Sequence, residues 1–516
     1  MSQSTPNTKA TRREWIGLAI IALPCLVYAM DLTVLNLALP ALSAELNPSS
    51  AQLLWIIDIY GFLVAGFLIS MGTLGDRIGR RKLLLIGAAA FAVASSIAAF
   101  SNSAEMLIAM RALLGIAGAT LAPSTLSLIR NIFHDERERQ FAIGVWIASF
   151  SVGGVIGPLV GGVLLQFFPW GSVFLVAVPV MVLLLVLGPV LLPEYRDPSA
   201  GQLDIASVAL SLLAVLTTVY GLKQIAEHGF SLRPIVILIA GIVVGAVFVR
   251  RQGRLAYPLL DLALFRQPKF SAAIAAYGLS CLAMFGVYIF ISQYLQLVLG
   301  LSPLQAGLAT VPWALAFVVG SLLAPRLARH LAPVTVLVWG LLAAAMGFAI
   351  IALVDSRFGL WVLIAGTVVM SLGLAPVFTI GNEMIITAAP PERAGAASAI
   401  SETAAEFSGA LGIALFGSIG TALYRTTLSG TMPIGVQTDE ASAALATLGA
   451  AVAVARTLTS ATANLLMEAA QMAFVSALQF VAMLGAVVLL TASVLSRRIL
   501  AARKTTAREM NDERGT

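Results

Sequence analysis

The chain has 516 residues, of which 59% are hydrophobic and only 11% are charged. About a quarter of the residues of a soluble globular domain are charged, so this composition excludes a water-soluble fold and indicates a polytopic membrane protein. The formal net charge of +6 does not indicate a nucleic-acid partner, because the basic residues are collected in short segments between apolar runs, where they act as topology signals.

Apolar runs of about 20 residues, each long enough to cross about 30 Å of hydrocarbon, recur along the whole chain. The first run follows a cluster of basic residues and is too long for the core of a signal peptide, so we expect it to remain as the first helix. The sequence predicts fourteen membrane spans, near residues 15–40, 52–74, 83–100, 106–129, 141–167, 173–192, 205–225, 234–250, 270–297, 306–328, 333–354, 361–388, 395–424 and 472–496.

The positive-inside rule gives these spans a direction. If the N-terminus is cytoplasmic, 25 of the 31 Lys and Arg residues fall in cytoplasmic segments, five fall outside, and Arg111 lies inside the fourth span. We therefore expect both termini in the cytoplasm.

Five acidic residues lie inside the predicted spans: Asp31, Asp58, Glu383, Glu402 and Glu406. An ionised group near the bilayer centre costs about 2.5 kcal/mol or more, so such residues usually mark a path for ions, protons or substrate. Glu402 and Glu406 are four residues apart and lie on one helix face, which should line a cavity. The alternative for Asp31 and Asp58 is a structural hydrogen bond to a neighbouring helix, and for Glu383 a solvated position at a helix end.

The loop between the second and third spans has the sequence GTLGDRIGRRK over residues 72–82. Its glycines let backbones approach closely, its aspartate can cap a helix or pair with an arginine, and its cations anchor it at the cytoplasmic face. The residues that we expect to act in conformational change here are Gly72, Gly75, Asp76, Arg77, Gly79 and Arg80.

The fifth span carries Gly153, Gly157 and Gly161, spaced four apart on one helix face. This spacing predicts close contact with another helix. Pro158 removes a backbone hydrogen bond, and we expect the helix to bend there.

Two later segments are not predicted to cross the membrane. Residues 258–268 alternate apolar and polar side chains between basic clusters, which predicts a position along the cytoplasmic interface. Residues 426–471 are too polar to span but have helical periodicity, which predicts an external loop with one or two short helices.

Aromatic side chains in the spans are candidates to stack on a cationic ligand, although packing alone accounts for any one of them. They are Tyr28, Trp55, Tyr60, Trp146, Phe150, Tyr288, Trp313 and Phe378. Cys25 and Cys281 lie far apart within apolar runs, so we interpret them as small buried hydrophobic residues and not as a disulfide or metal ligands.

The sequence contains no Walker-type GxxxxGK[ST] motif, no HExxH and no GxSxG, and its three histidines all fall in predicted loops. Transport driven by ATP and hydrolysis within the membrane therefore lack their usual residues. We expect a protein that is not an enzyme and has neither cofactor nor metal, in which carboxylates carry any proton across the membrane.

The loop at 72–82 resembles the signature loop of the major facilitator superfamily. The run GGVIGPLVGG at 153–162 resembles the antiporter motif of its proton-coupled exporters. The runs MDLTVLNLALP at 30–40 and RALLGIAGA at 111–119 are similar to motifs of its fourteen-helix drug:proton antiporter family, in which the second motif, beginning at Arg111, is associated with proton coupling. Relatives carry acids at the places of Asp58, Glu402 and Glu406, and some carry a third where this chain has Ser401.

The resemblance implies an all-α major facilitator fold of two six-helix bundles, with spans 7 and 8 as an inserted hairpin. One bundle would rock against the other around a cavity at the membrane midplane. We therefore divide the chain into an N-terminal bundle (1–200), the inserted helices (201–255), a C-terminal bundle (256–500, with the external loop 426–471) and a cytoplasmic tail (501–516).

The expected function is proton-coupled export of lipophilic organic cations, such as quaternary ammonium compounds, dyes and biguanides, across a bacterial cytoplasmic membrane by a monomer. Protonation of Asp31, Glu402 or Glu406 would release the cation. One alternative is export of neutral or anionic metabolites, with the acids carrying only protons. The other is a membrane receptor or scaffold that transports nothing.

Overall fold

The computed structural model describes residues 9–196, 204–228, 231–255, 258, 262–355, 359–388 and 394–512. A 3₁₀ helix at Leu264–Arg266 precedes α10, and a π-helix at Tyr294–Val298 extends it. The α-helices in this part of the chain are α1 (Arg12–Leu46), α2 (Ser50–Ile78), α3 (Arg80–Ala99), α4 (Ala104–Ile132), α5 (Glu136–Phe167), α6 (Ser172–Leu175), α7 (Ala177–Leu191), α8 (Ile205–His228), α9 (Leu232–Gln252), α10 (Pro268–Gln293), α11 (Pro303–Ala309), α12 (Val311–His330), α13 (Pro333–Ile351), α14 (Gly359–Ala388), α15 (Ala394–Gly430), α16 (Thr438–Ala444), α17 (Leu448–Ala455) and α18 (Ser460–Asp512).

The described residues contain fourteen helical stretches that are long and apolar enough to cross a membrane, as the sequence predicts. The sixth stretch combines α6 with α7, the ninth adds the π-helix to α10, and the tenth combines α11 with α12. The prediction of an all-α, polytopic membrane protein is therefore confirmed.

The polar segment before the last span is shorter than the predicted loop 426–471. α15 continues to Gly430 and α18 begins at Ser460, and the short helices α16 and α17 lie between them. Thr447 accepts a hydrogen bond from the backbone N–H of Ala450 (3.0 Å), which caps the start of α17.

The chain divides into two compact units. The first comprises Met1–Pro48, Trp55–Leu212 and Ser302–Leu308, and the second comprises Ser49–Leu54, Leu213–Leu301 and Ala309–Thr516. The division falls inside α8, whereas the sequence predicts a boundary at residue 200, which lies outside the described residues. The four-part division given above remains a prediction.

Glycines on one face of α5 bring that helix against α1 in the first unit. A Cβ atom added at Gly153 would lie 2.1 Å from the carbonyl oxygen of Leu26, and one at Gly161 would lie 2.6 Å from Val34 Cγ2. Only residues without a Cβ permit this approach, because both distances are well below van der Waals contact. The glycine face therefore packs on α1, the helix that carries Asp31.

In the second unit, glycines let α10 and α15 cross at backbone distance. A Cβ atom at Gly412 would lie 2.1 Å from the carbonyl oxygen of Leu282, and one at Gly286 would lie 2.8 Å from the carbonyl oxygen of Gly412. Nearer the acids, a Cβ atom at Gly278 would lie 2.8 Å from Ser408 Oγ. This crossing fixes which residues of α10 face the part of α15 that carries Glu402 and Glu406.

Candidate functional site

An ion pair between Asp31 of α1 and Arg111 of α4 lies in the interior of the first unit. Arg111 Nη1 donates to Asp31 Oδ2 at 2.5 Å, and the side chains are 2% and 6% exposed for Arg111 and Asp31. Arg111 also donates from Nε to the carbonyl of Ile56 (3.1 Å) and from Nη2 to that of Ile57 (3.4 Å). Its guanidinium group lies 4.7 Å from the centre of the Tyr60 ring. The cation therefore joins α1, α2 and α4 and neutralises the charge of Asp31 within the protein.

Asp58, the other acidic candidate of this unit, follows Ile57 directly on α2 and is 1% exposed. Both acids thus lie in the interior of the unit, on the two helices that Arg111 joins to its own. Trp55 lies one turn earlier on α2 and is partly exposed.

Four of the predicted aromatic residues form a continuous row that ends at the ion pair. The ring centres of Trp146 and Phe150 are 4.8 Å apart, those of Phe150 and Tyr28 are 5.7 Å apart, and those of Tyr28 and Tyr60 are 5.9 Å apart. The Tyr60 ring in turn contacts Arg111. The row connects α5 through α1 to α2, so a ligand bound by Trp146 or Phe150 would be linked to the ion pair by contacting rings.

In the second unit, Glu402 and Glu406 lie on α15, and both side chains are partly exposed. Their carboxyl groups lie close enough to the Tyr277 hydroxyl and the Cys281 thiol of α10 to act on both electrostatically. Tyr277 is not among the aromatic candidates from the sequence, and Cys281 was interpreted there as a small hydrophobic residue. The close crossing of α10 and α15 is what places both residues beside the acids.

The aromatic candidates of the second unit belong to two different groups. The ring of Phe378 on α14 packs against Tyr277, with centres 5.2 Å apart, and against Phe317 of α12 at 5.9 Å. Tyr288 and Trp313 form another pair, with ring centres 4.9 Å apart. Only Phe378 of the predicted residues therefore contacts an aromatic side chain that lies beside Glu402 and Glu406.

The remaining acidic candidate, Glu383 on α14, is exposed. Its chain neighbour Asn382 accepts a hydrogen bond from Ser401 Oγ at 2.9 Å, which ties α14 to α15 directly before Glu402. Ser401 thus contributes its hydroxyl to the packing of α15 on α14.

A carboxylate that the sequence analysis missed caps the start of α3. Glu194 accepts hydrogen bonds from the backbone N–H groups of Arg81 (3.0 Å) and Lys82 (3.2 Å). Gly79, with a φ of 113°, lies against it, since an added Cβ atom would be 2.5 Å from Glu194 Oε1. A negative charge at a helix N-terminus is favourable. The only sequence signal was an acid directly after a spanning helix.

The segment 72–82, predicted as a loop, consists of the end of α2 and the start of α3, joined at Gly79. Arg80 and Arg81, the first residues of α3, bind carbonyls in α4 and at the end of α7. Arg81 Nη1 donates to the carbonyls of Pro189 (3.1 Å) and Leu192 (2.9 Å), and Arg80 Nη1 donates to that of Pro123 (3.3 Å). The segment after α7 and the start of α3 therefore cap each other.

The other candidates of this loop lie at the end of α2. A Cβ atom at Gly72 would lie 3.7 Å from Pro123 Cβ and one at Gly75 would lie 3.0 Å from Arg80 Cδ, while Arg77 is exposed. Asp76 belongs to α2, and its side chain lies outside the described part of the chain.

Gly157 belongs to the face of α5 that packs on α1, whereas the carbonyl of Pro158 lies 2.7 Å from a Cβ atom added at Gly307 of α11. A Cβ atom at Gly157 would lie 2.2 Å from Thr33 Oγ1, and α5 continues through Pro158 to Phe167. Within the described residues, no three His, Cys, Asp or Glu side chains are grouped so that they could hold a metal ion.

Comparison with known proteins gives one family and a set of curated relatives. The family model of the Major Facilitator Superfamily matches residues 21–413. The chain is 46% identical over 494 residues to the multidrug efflux pump LfrA of Mycolicibacterium smegmatis, covering 96% of this chain and 98% of that protein. It is 34% identical over 464 residues to the methyl viologen resistance protein SmvA of Salmonella typhimurium, covering 90% and 93%.

Among solved structures, the chain resembles a bacterial homologue of the human lysosomal transporter Spinster in its inward-facing, occupied conformation. The TM-score is 0.67 at 16% identity, covering 96% of this chain and 98% of that one. At this identity the likeness concerns the fold alone.

Proposed function

Because the chain belongs to the major facilitator superfamily, we propose that it is a proton-coupled antiporter that exports lipophilic organic cations from the cytoplasm. Similarity over nearly the whole chain to a multidrug efflux pump and to a methyl viologen resistance protein supports efflux as the activity. Quaternary ammonium compounds, dyes and biguanides are the proposed substrates.

The observation that carries the proposal is that each unit holds carboxylates beside aromatic rings within membrane spans. In the first unit, Asp31 contacts the Arg111 side chain that lies on the Tyr60 ring. In the second, Glu402 and Glu406 lie near Tyr277. Acids and ring faces are the two groups that attract an organic cation in a site of low polarity.

The contacts of Asp31 favour a division of roles between the two units. Its charge is already neutralised by Arg111, so it offers little attraction to a second cation. A proton on Asp31 would leave the charge of Arg111 uncompensated, so protonation changes the charge in the interior of the first unit by one unit. We therefore assign proton coupling to Asp31 and cation binding to Glu402 and Glu406.

Charge movement sets a lower limit on the number of protons. Expelling a dication against about 100 mV costs about 4.6 kcal/mol, at about 2.3 kcal/mol per charge. Two protons must enter in the same cycle for electroneutral exchange, so at least two titrating acids are needed. Asp31 together with Glu402 or Glu406 supplies them.

The surroundings of the transporter follow from the same reasoning. α9 exposes apolar side chains such as Ile239, Ile242 and Val243, which suits contact with lipid. The distribution of Lys and Arg supports cytoplasmic termini, and the relatives named above support a bacterial cytoplasmic membrane. A monomer remains the expected state.

Proton release from purified protein tests the proposal. An organic cation such as ethidium is added to detergent-solubilised protein in weakly buffered solution with a pH indicator. A cation that binds the ionised form of Glu402 and Glu406 shifts their protonation equilibrium. Protons then leave the protonated fraction of these acids, so we expect the solution to acidify. An exporter of neutral or anionic metabolites, or a receptor or scaffold, would release none. Ethidium efflux from an efflux-deficient host expressing the protein gives the matching transport measurement.

A further inference from the structure

Tyr277 and Cys281 lie one helical turn apart on α10, and Glu402 and Glu406 lie one turn apart on α15. Side chains four residues apart share a helix face. α10 and α15 cross at backbone distance at Leu282 and Gly412, and one turn away Gly278 lies against the Ser408 side chain. The two faces therefore oppose each other.

Three aromatic rings from three helices adjoin this position. Tyr277 of α10 packs edge-on against Phe378 of α14, with an interplanar angle of 68°, and Phe378 packs against Phe317 of α12. All three side chains are partly exposed, in contrast to the fully buried Tyr60. Parts of their surfaces are therefore not covered by the protein and are available to a ligand.

Cys281 adds a thiol to the face of α10 that carries Tyr277. Its side chain is 4% exposed and it is in no disulfide. It lies near both carboxylates. The described wall opposite Glu402 and Glu406 thus includes the Tyr277 ring with its hydroxyl and a weakly polar sulfur.

A quaternary ammonium group matches this wall better than a protonated amine does. It has no N–H donor, its charge is spread over methyl groups, and it is recognised by ring faces together with nearby anions. A protonated tertiary amine carries one N–H and can bind a carboxylate directly, so it depends less on the rings.

We propose that Tyr277, with Phe378 and Cys281, completes a subsite of Glu402 and Glu406 for a quaternary ammonium headgroup, and that Tyr277 determines the preference for quaternary over tertiary ammonium. This inference rests on the proposed export of organic cations and names the headgroup that the site of the second unit prefers.

Binding of two matched probes to purified full-length protein tests it. The probes are benzyltrimethylammonium and its tertiary analogue N,N-dimethylbenzylamine, protonated at pH 7, with affinities measured by calorimetry. Tyr277→Leu removes the ring, and we expect the affinity for the quaternary probe to fall about 2- to 30-fold, the range of a cation–π contact. The affinity for the tertiary probe should change by less than about twofold.

Tyr277→Phe is the matched control, because it keeps the ring and removes only the hydroxyl; its quaternary preference should remain within about twofold of the wild type. If Tyr277→Leu does not give a monodisperse protein, Phe378→Leu takes its place with the same expected loss. The inference would be overturned if Tyr277→Leu lost affinity equally for both probes, or for neither, while it still bound and exported ethidium. The proposed function would then still stand. Wild-type protein that neither binds nor exports any organic cation would overturn both.

Discussion

Removing the charge of Asp31 tests what the buried ion pair contributes to stability and to transport. Asp31→Asn keeps the size of the side chain and one oxygen atom but deletes the negative charge. Arg111, which is 2% exposed, would keep its hydrogen bonds to the carbonyls of Ile56 and Ile57 and its contact with the ring of Tyr60. It would lose its only anionic partner among the described residues.

The expected loss of stability follows from these contacts. Removing one partner of a buried ion pair costs about 3–5 kcal/mol, because the other charge is left buried and uncompensated. Since Arg111 keeps two carbonyls and a ring, we expect a value at the lower end, about 3 kcal/mol. At about 2–4 °C per kcal/mol for a unit of about 150–250 residues, the apparent Tm should fall by about 6–12 °C.

The double variant Asp31→Asn with Arg111→Gln separates stability from transport. It removes both charges of the pair, so most of the lost Tm should return, whereas ethidium efflux should stay abolished in both variants because the proton site is gone. Tryptophan fluorescence at a fixed scan rate gives the apparent Tm, and efflux is compared at equal expression in the membrane. If Asp31→Asn melts at the same temperature as the wild type, the ion pair does not stabilise the first unit as argued. If the double variant exports ethidium normally, Asp31 does not carry the coupled proton.

Three further predictions concern other contacts. Gly153→Ala should lower the stability by about 1–3 kcal/mol because the new Cβ meets the α1 backbone, whereas Gly154→Ala, with nothing described within 4 Å of its Cβ, should not; a normal Tm for the first variant would contradict this packing. Glu194→Gln should lower the free energy of unfolding by about 0.5–2 kcal/mol and slow export, while the affinity for the cation stays unchanged. A loss of cation affinity as large as the loss of export rate would place Glu194 in the cation-binding site. Glu406→Gln should impair export of dications more than of monocations, while Glu402→Gln impairs both; equal losses in Glu406→Gln would remove the case for charge-selective use of that residue.

The spans and the glycine face of α5 were predictable because their signals are local. Hydropathy over a run of residues identifies a span, and glycines four apart identify a face that contacts another helix. The identity of that partner was not predictable, since nothing near Gly153 indicates Leu26 of α1. The end of α15 was also placed too early, because its last polar turns resemble a loop in composition.

Most of the features that could not be predicted from the sequence are contacts between residues that lie far apart in the chain. Asp31 and Arg111 are 80 residues apart, and Glu194 and Arg81 are 113 apart, so no periodicity or spacing links them. Tyr277 and Cys281 resemble ordinary side chains of an apolar helix until the register of α10 against α15 is known. The candidate acids were found from their cost in a membrane alone, because that cost depends only on their type and position.

Counter-transport in proteoliposomes tests whether export of an organic cation is coupled to entry of protons. Purified protein is reconstituted into vesicles that contain a pH indicator, with ethidium at the same concentration inside and outside, and a proton gradient directed inward is imposed from outside. We expect ethidium to leave the vesicles while protons enter, and both fluxes to stop in Asp31→Asn. Collapsing the proton gradient with a protonophore should halt net export of ethidium against its concentration gradient. Ethidium export that continues at the same rate without the gradient, or with no accompanying proton entry, would contradict it.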